Sequence, residues 1–331
     1  MFHFDEEAIR QEHERGLSII PETQQTVDEI CARGYENVFY IGIGGTYLYA
    51  GQFCHIVKQA GSRLPLYLEN AADFLVEGNP NFTKDSLVVI ASISGDTKEV
   101  VELVDKVHEV GARVLGYVET PGSPLDEKCD DVITTRGGEY YFWYTVTLRL
   151  MANRGDFPQY DEFMKDIQHM PENVVEIYKK SDAKAQQFAE KYGDSQLTYL
   201  IGSGNLEDWA TCYGMCIMEE MQWMPTRPIS AANFFHGTLE VIERDVPVIL
   251  IKGEDCTRPL MDRVERFVET ISANVTVFDT KDYELTGIRD EFRPLLAPIV
   301  ARSSFQRVSV HLEHHRRHPL SIRRYYRRLD Y

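Results

Sequence analysis

The chain has 331 residues, long enough for two domains of ordinary size. With 43% hydrophobic, 26% charged and 11% aromatic residues, its composition excludes a disordered, collagenous or coiled-coil polypeptide. A net charge of −17, from 35 Lys and Arg against 52 Asp and Glu, argues against nucleic acid or an anionic membrane as partner, since both attract the opposite sign. No apolar run reaches the length of a membrane span. The charged start, MFHFDEEAIRQEHERG, lacks the apolar core of a signal peptide. Six cysteines without a CxxC pair fit a reducing, cytoplasmic setting.

In chain order, Asn37–Ile43, Pro65–Leu68, Ser86–Ser92, Arg113–Val118 and Asp131–Thr134 read as buried strands. Amphipathic stretches separate them, such as Thr97–Gly111 with Val100, Val101, Val104 and Val107 on one face. Strands alternating with helices predict a doubly wound parallel sheet whose ligand site lies at the strand C-termini. Tyr141–Asn153 and Asn173–Tyr192 read as linker helices. Strands then resume at Leu197–Gly202, Val246–Lys252 and Asn274–Phe278, and YIGIGGTYLYAGQ is echoed by YLIGSGNLEDWAT. The expected fold is α/β, two flavodoxin-like parallel-sheet domains in tandem with a helical C-terminal tail. The expected divisions are an N-terminal helical segment at 1–36, domains at 37–170 and 171–301, and a basic tail at 302–331. That tail holds eight Arg, no Lys and two acids, so it carries about +6 against about −23 for the rest. Its partner is another part of the protein, a second subunit or an anionic ligand.

Two turns each leave a strand and open a helix: Gly42-Ile43-Gly44-Gly45-Thr46 and Ser92-Ile93-Ser94-Gly95-Asp96-Thr97. Backbone N–H groups and hydroxyls on such turns can wrap a phosphate monoester. A glycine turn is also an economical exit from a strand, and Ser or Thr an ordinary helix cap. Glu69 stands where a dinucleotide fold would place its ribose-binding acid. In the second half, Glu219 and Glu220 lie one position apart on a helix, so only one of them can face a site. His236 follows sixteen residues after Glu220. A carboxylate and an imidazole suit carbonyl–enol chemistry on a sugar phosphate.

Ser92–Thr97 resembles the S-x-S-G-[END]-T signature of sugar isomerase (SIS) domains, and Gly44-Gly45-Thr46 their companion turn. Met218–Trp223, the Phe235–Glu240 loop and His318–Tyr325 resemble segments of SIS deglycases that cleave phosphorylated glycated amino acids, a likeness running over essentially the whole chain. It implies an enzyme in which Gly45, Thr46, Ser92, Ser94, Gly95 and Thr97 hold the 6-phosphate, Glu220 moves the proton and His236 helps open the ring. His318, Arg323 and Arg324 would reach the substrate, with no metal and no redox cofactor. The implied partners are a phosphosugar–amino acid substrate and further copies of the chain, as a homodimer or higher homo-oligomer. The likeness leaves open a glucoselysine 6-phosphate deglycase, an aldose–ketose or aminosugar-phosphate isomerase, and a non-catalytic sensor. Two departures are Thr238, where proline is usual, and Asn233, where many SIS enzymes carry Glu. His311, His314 and His315 share a helical face, Cys212 and Cys216 pack one turn apart, and Trp143, Trp209 and Trp223 are expected in an inter-domain core.

Overall fold

Among the described residues eight strands form where the apolar runs predict them, and a ninth is added. The computed structural model describes residues 1–329; Asp330 and Tyr331, the end of the basic tail, lie outside the described residues. The chain divides into two units, residues 7–171 and residues 1–6 together with those from Glu172 onward.

The first unit holds β1 (Asn37–Gly42), β2 (Leu66–Asn70), β3 (Ser86–Ser92), β4 (Arg113–Val118) and β5 (Asp131–Thr134), all parallel in the order β2-β1-β3-β4-β5. Every residue of β1 and β3 is buried, as a central parallel strand covered on both faces requires. The second unit repeats the order without the last strand: β6 (Thr198–Gly202), β7 (Thr226–Ser230), β8 (Val248–Lys252) and β9 (Val275–Asp279) run β7-β6-β8-β9, again parallel. In each sheet the chain reverses direction of winding between its first and third strands, and that gap is where doubly wound sheets bind ligands.

The added strand is β7, whose Thr-Arg-Pro-Ile-Ser sequence carries no apolar run. It is an edge strand, the one place in a sheet where Pro228 is tolerated. The helix Glu139–Asn153 is not a linker. It is buried on nearly all sides; Tyr40 Oη and Thr147 Oγ1 are 2.8 Å apart, and Tyr140 Oη donates to Gln52 Oε1 at 3.0 Å. Trp143 packs on Tyr40 and Phe53 within this unit, and Trp209 on Tyr213 and Phe305 within the other. A helix apolar all round is a core helix. Each of these tryptophans packs on rings of its own unit, and Trp223 is half-buried.

The helical C-terminal segment is Arg293–Arg316, one continuous helix across the expected boundary at 302, and the described residues beyond it form turns. Much of the tail's charge is neutralised inside its own unit. Arg307 is fully buried and donates to Asp182 Oδ1 through Nε (2.9 Å) and Nη2 (2.6 Å), while His311 Nε2 lies 2.8 Å from the same oxygen. Arg307 Nη2 also donates to the Phe2 carbonyl, fastening the N-terminus to this unit. Burial pushes the Asp182 carboxyl up, but the hydrogen bonds from His311 and Arg307 outweigh it and hold the group below its ordinary value. A depressed carboxyl stabilises the fold above the unfolded value and loses that contribution as pH falls through the folded one. Asp182→Ala strands a buried guanidinium and is expected to cost about 3–5 kcal/mol in urea unfolding at pH 7. The deficit should begin to shrink below about pH 4, where the unfolded carboxyl takes up its proton, and shrink further as pH falls through the lower folded value.

Candidate active site

The first turn is built by glycine at two points. A side chain on Gly42 would meet the Tyr47 amide at 2.6 Å, and Gly44 takes φ +59° to open the helix Gly45–Gln59. Thr46 Oγ1 donates to the Ile43 carbonyl at 3.1 Å, closing the turn on itself. One strand over, Ser92 Oγ accepts from the Gly95 amide at 3.0 Å, and Gly95 has φ +69° with its Cα pressed on the Ser123 side chain. Thr97 is the N-cap of the helix Lys98–Val110 but makes no side-chain cap hydrogen bond. Because β1 and β3 are hydrogen-bonded neighbours, Gly45, Thr46, Ser92, Ser94, Gly95 and Thr97 gather at one edge of the first sheet, between two helix N-termini.

Sequence reasoning missed Ser123. Its hydroxyl is buried, has no hydrogen-bond partner among the described residues, and abuts Gly95. The loop carrying it is stitched to the phosphate-type turn by Leu125 N to Gly95 O (3.0 Å) and Thr120 Oγ1 to Ile93 O (3.1 Å). The signal available was the Pro-Gly-Ser-Pro turn just past β4, at the same sheet edge. A buried, unpaired hydroxyl beside N–H donors suits an oxyanion. Glu69 accepts from Asn79 at 2.6 Å, a local structural bond.

The duplicated turn of the second unit is already filled. There Asp255 Oδ2 accepts from the Asn205 amide (3.1 Å), and Oδ1 from the Thr257 amide (2.8 Å) and hydroxyl (2.5 Å); Thr257 Oγ1 also bonds Ser203 Oγ (2.9 Å). In the second unit the chain's own carboxylate thus binds the amides of this turn. A second anion there would face like charge.

The two adjacent glutamates have different partners. Glu219 Oε1 accepts from the Thr226 amide (3.0 Å) and hydroxyl (2.7 Å), which ties it to β7. Glu220 Oε1 accepts from Arg323 Nε at 2.7 Å, with side chains 29% and 18% exposed. The helix reaches Glu220 through a π-helical stretch, Tyr213–Glu219, and ends at Trp223 with φ +56°. Such widened turns occur mostly at functional sites. Burial aside, the Cys216 thiol is drawn down chiefly by a hydrogen bond with Cys212.

Glu219, Glu220, Trp223, Met224, Pro225 and Arg323–Tyr326 line a groove of about 320 Å³. Gln222 Nε2 donates to the His318 carbonyl at 2.8 Å, the His318 ring packs edge-on to Trp223 at 4.2 Å, and Arg324 lies 4.0 Å over the same indole. The structure therefore brings Glu220, His318, Arg323 and Arg324 together. His236 is exposed on the loop after β7, and its ring makes no hydrogen bond to the described residues. The helical histidines are otherwise engaged: His311 with Asp182, His314 stacked at 3.8 Å on Phe2, and His315 with Asp194 at 3.5 Å.

Residues 33–154 match the SIS domain family. Those residues form a SIS domain. The match covers β1 to the helix Glu139–Asn153 and contains the turns at Gly42–Thr46 and Ser92–Thr97. Over nearly its whole length the chain is also 29% identical to the fructosamine deglycase FrlB of Bacillus subtilis, spanning 94% of this chain and 97% of that one. It is 23% identical to the fructoselysine 6-phosphate deglycase of Escherichia coli O157:H7, spanning 97% and 94%. A Bacillus subtilis structure classed with the phosphosugar isomerases superposes with a TM-score of 0.89 at 25% identity, over 96% of this chain and all of that one. The C-terminal domain of a glucosamine-fructose-6-phosphate aminotransferase from Francisella tularensis shares the fold, with a TM-score of 0.79 at 16% identity, over 94% and 95%.

Proposed function

We propose that this SIS-domain enzyme is a deglycase that splits a 6-phosphorylated fructosamine, of the fructoselysine 6-phosphate type, into glucose 6-phosphate and a free amino acid. The observation that supports the reading is the different partners of Glu219 and Glu220. Both line the groove, but one carboxylate is locked to Thr226 and the other is paired with Arg323.

The hydroxyls of Thr46, Ser92, Ser94 and Thr97, with the amides of Gly45 and Gly95, would hold the 6-phosphate by neutral donation, joined by the unpaired Ser123 hydroxyl. Held this way, a dianion needs no lysine, so the net charge of −17 is no obstacle. His236 would assist ring opening. Glu220 takes a proton from C1 to give an enaminol, reprotonation at C2 gives the C1 imine, and water releases the amine and the aldehyde. A carboxylate suits both proton transfers because it can take and return the same proton.

A coupled assay for glucose 6-phosphate, run on phosphorylated and unphosphorylated fructosyl-lysine, tests the reading. Release from the phosphorylated compound, with kcat/KM at least about 10²-fold above the other, is expected from loss of the phosphate contacts. Release from neither contradicts it, and fructose 6-phosphate from a glucosyl-lysine phosphate would move the assignment to the mirror-image deglycase.

A further inference from the structure

In the deglycase reading, on which this inference rests, C1 carries both the proton that Glu220 removes and the nitrogen that departs. The amino acid must then run along the surface that Glu220 lines, which is the Trp223–Arg324 groove. Within it, Arg323 Nε sits 2.7 Å from Glu220 Oε1, while its Nη1 donates to the Leu320 (2.6 Å) and Ile322 (3.1 Å) carbonyls. The guanidinium is thus held by its own segment and presented to Glu220, its one carboxylate partner among the described residues. This charge-assisted bond commits a lone pair of Oε1 and holds the carboxylate in the orientation the arginine sets, so that oxygen must turn or part from the arginine to meet a C–H bond.

Separating a half-buried ion pair and leaving the arginine unpaired is costly, whereas exchanging one carboxylate for another keeps it paired throughout. The substrate brings such a group, the carboxylate of its amino acid. Glu219 does not compete, since Thr226 holds it. Arg324, spread over Trp223 and without a carboxylate partner among the described residues, adds a second positive charge at the rim.

We propose that Arg323 is a carboxylate-exchange residue: it rests on Glu220 and transfers to the substrate's carboxylate as the substrate enters, which frees Glu220 to act as the base. Arg323 is then a positioning residue that makes turnover depend on a group remote from the bond broken. Glycated amines without a carboxylate would bind and leave the base masked.

The test compares 6-phosphofructosyl-glycine with 6-phosphofructosyl-methylamine, which differ only in the carboxylate. Wild type is expected to prefer the glycine conjugate by about 10²-fold in kcat/KM. In Arg323→Gln the methylamine conjugate should turn over about fivefold faster than in wild type, and the preference should fall to within about threefold. Acetate, supplying the missing group from solution, should accelerate wild type on the methylamine conjugate and leave Arg323→Gln unaffected, a readout independent of how much variant folds. A wild-type preference near unity overturns the exchange. So does an acetate effect absent from wild type, or a methylamine rate that is unchanged or lower in the variant. If wild type releases hexose phosphate from neither conjugate, the deglycase reading falls with it.

Discussion

Glu220→Gln should lower kcat by about 10²- to 10⁴-fold, the contribution of a positioned general base, while substrate affinity stays within a few-fold. Glutamine keeps the shape of the side chain and can still accept from Arg323 through its carbonyl oxygen, but it cannot take a proton from C1. Loss in kcat with little change in binding is the mark of an interaction made in the transition state. Glu219→Gln is the matched control one position away. Its oxygen can still accept from the Thr226 amide and hydroxyl, so activity should remain within about threefold of wild type, as for an ordinary surface substitution. Reversed results in the pair would exchange the roles given to the two glutamates.

Gly95→Ala should lower kcat/KM for the phosphorylated substrate by about 10²-fold, because a displacement near 1 Å in a binding constellation has that effect. Two causes act together. The residue sits at φ +69°, where an L side chain is strained by roughly 1–2 kcal/mol, and the new methyl would overlap Ser123. The turn must move, carrying the Gly95 amide away from Ser92 Oγ and from the anion. Gly111→Ala separates the causes. Gly111 has φ +89° at the end of the helix Lys98–Val110, with only the Lys84 side chain nearby at 3.7 Å. That variant should lose comparable stability in thermal unfolding and keep its KM.

The parallel sheet of the first unit was legible because its strands carry apolar residues and β1, β2 and β3 end in the turn-forming Gly42, Asn70 and Ser92. β7 was not, since an edge strand takes its hydrogen bonds on one side only and needs no apolar run. The helix Glu139–Asn153 looked like a connector because its apolar residues follow no single stripe, which is the pattern of a helix enclosed on all sides. At the site, the hydroxyl turns and the Glu220–His236 spacing could be read from sequence. The spacing and the family likeness pointed to Glu220 over Glu219, but the partner Arg323, 103 residues away, was not legible because no local pattern encodes such a contact. Arg307 shows the same limit. It counted toward a basic tail, yet it is a buried cation paired with Asp182, 125 residues earlier. Asp255 also escaped notice, although its carboxylate binds the amides of the second unit's turn.

Proton removal from C1 is the central claim, and a 6-phosphofructosyl amino acid carrying two deuterium atoms at C1 tests it without reference to rates. Glu220 acting as described takes one of them, so the released glucose 6-phosphate should carry a single deuterium at C1, seen by NMR and mass spectrometry. A hexose phosphate that keeps both deuterium atoms at C1 would show that the C–N bond breaks without an enaminol, and would contradict the role given to Glu220.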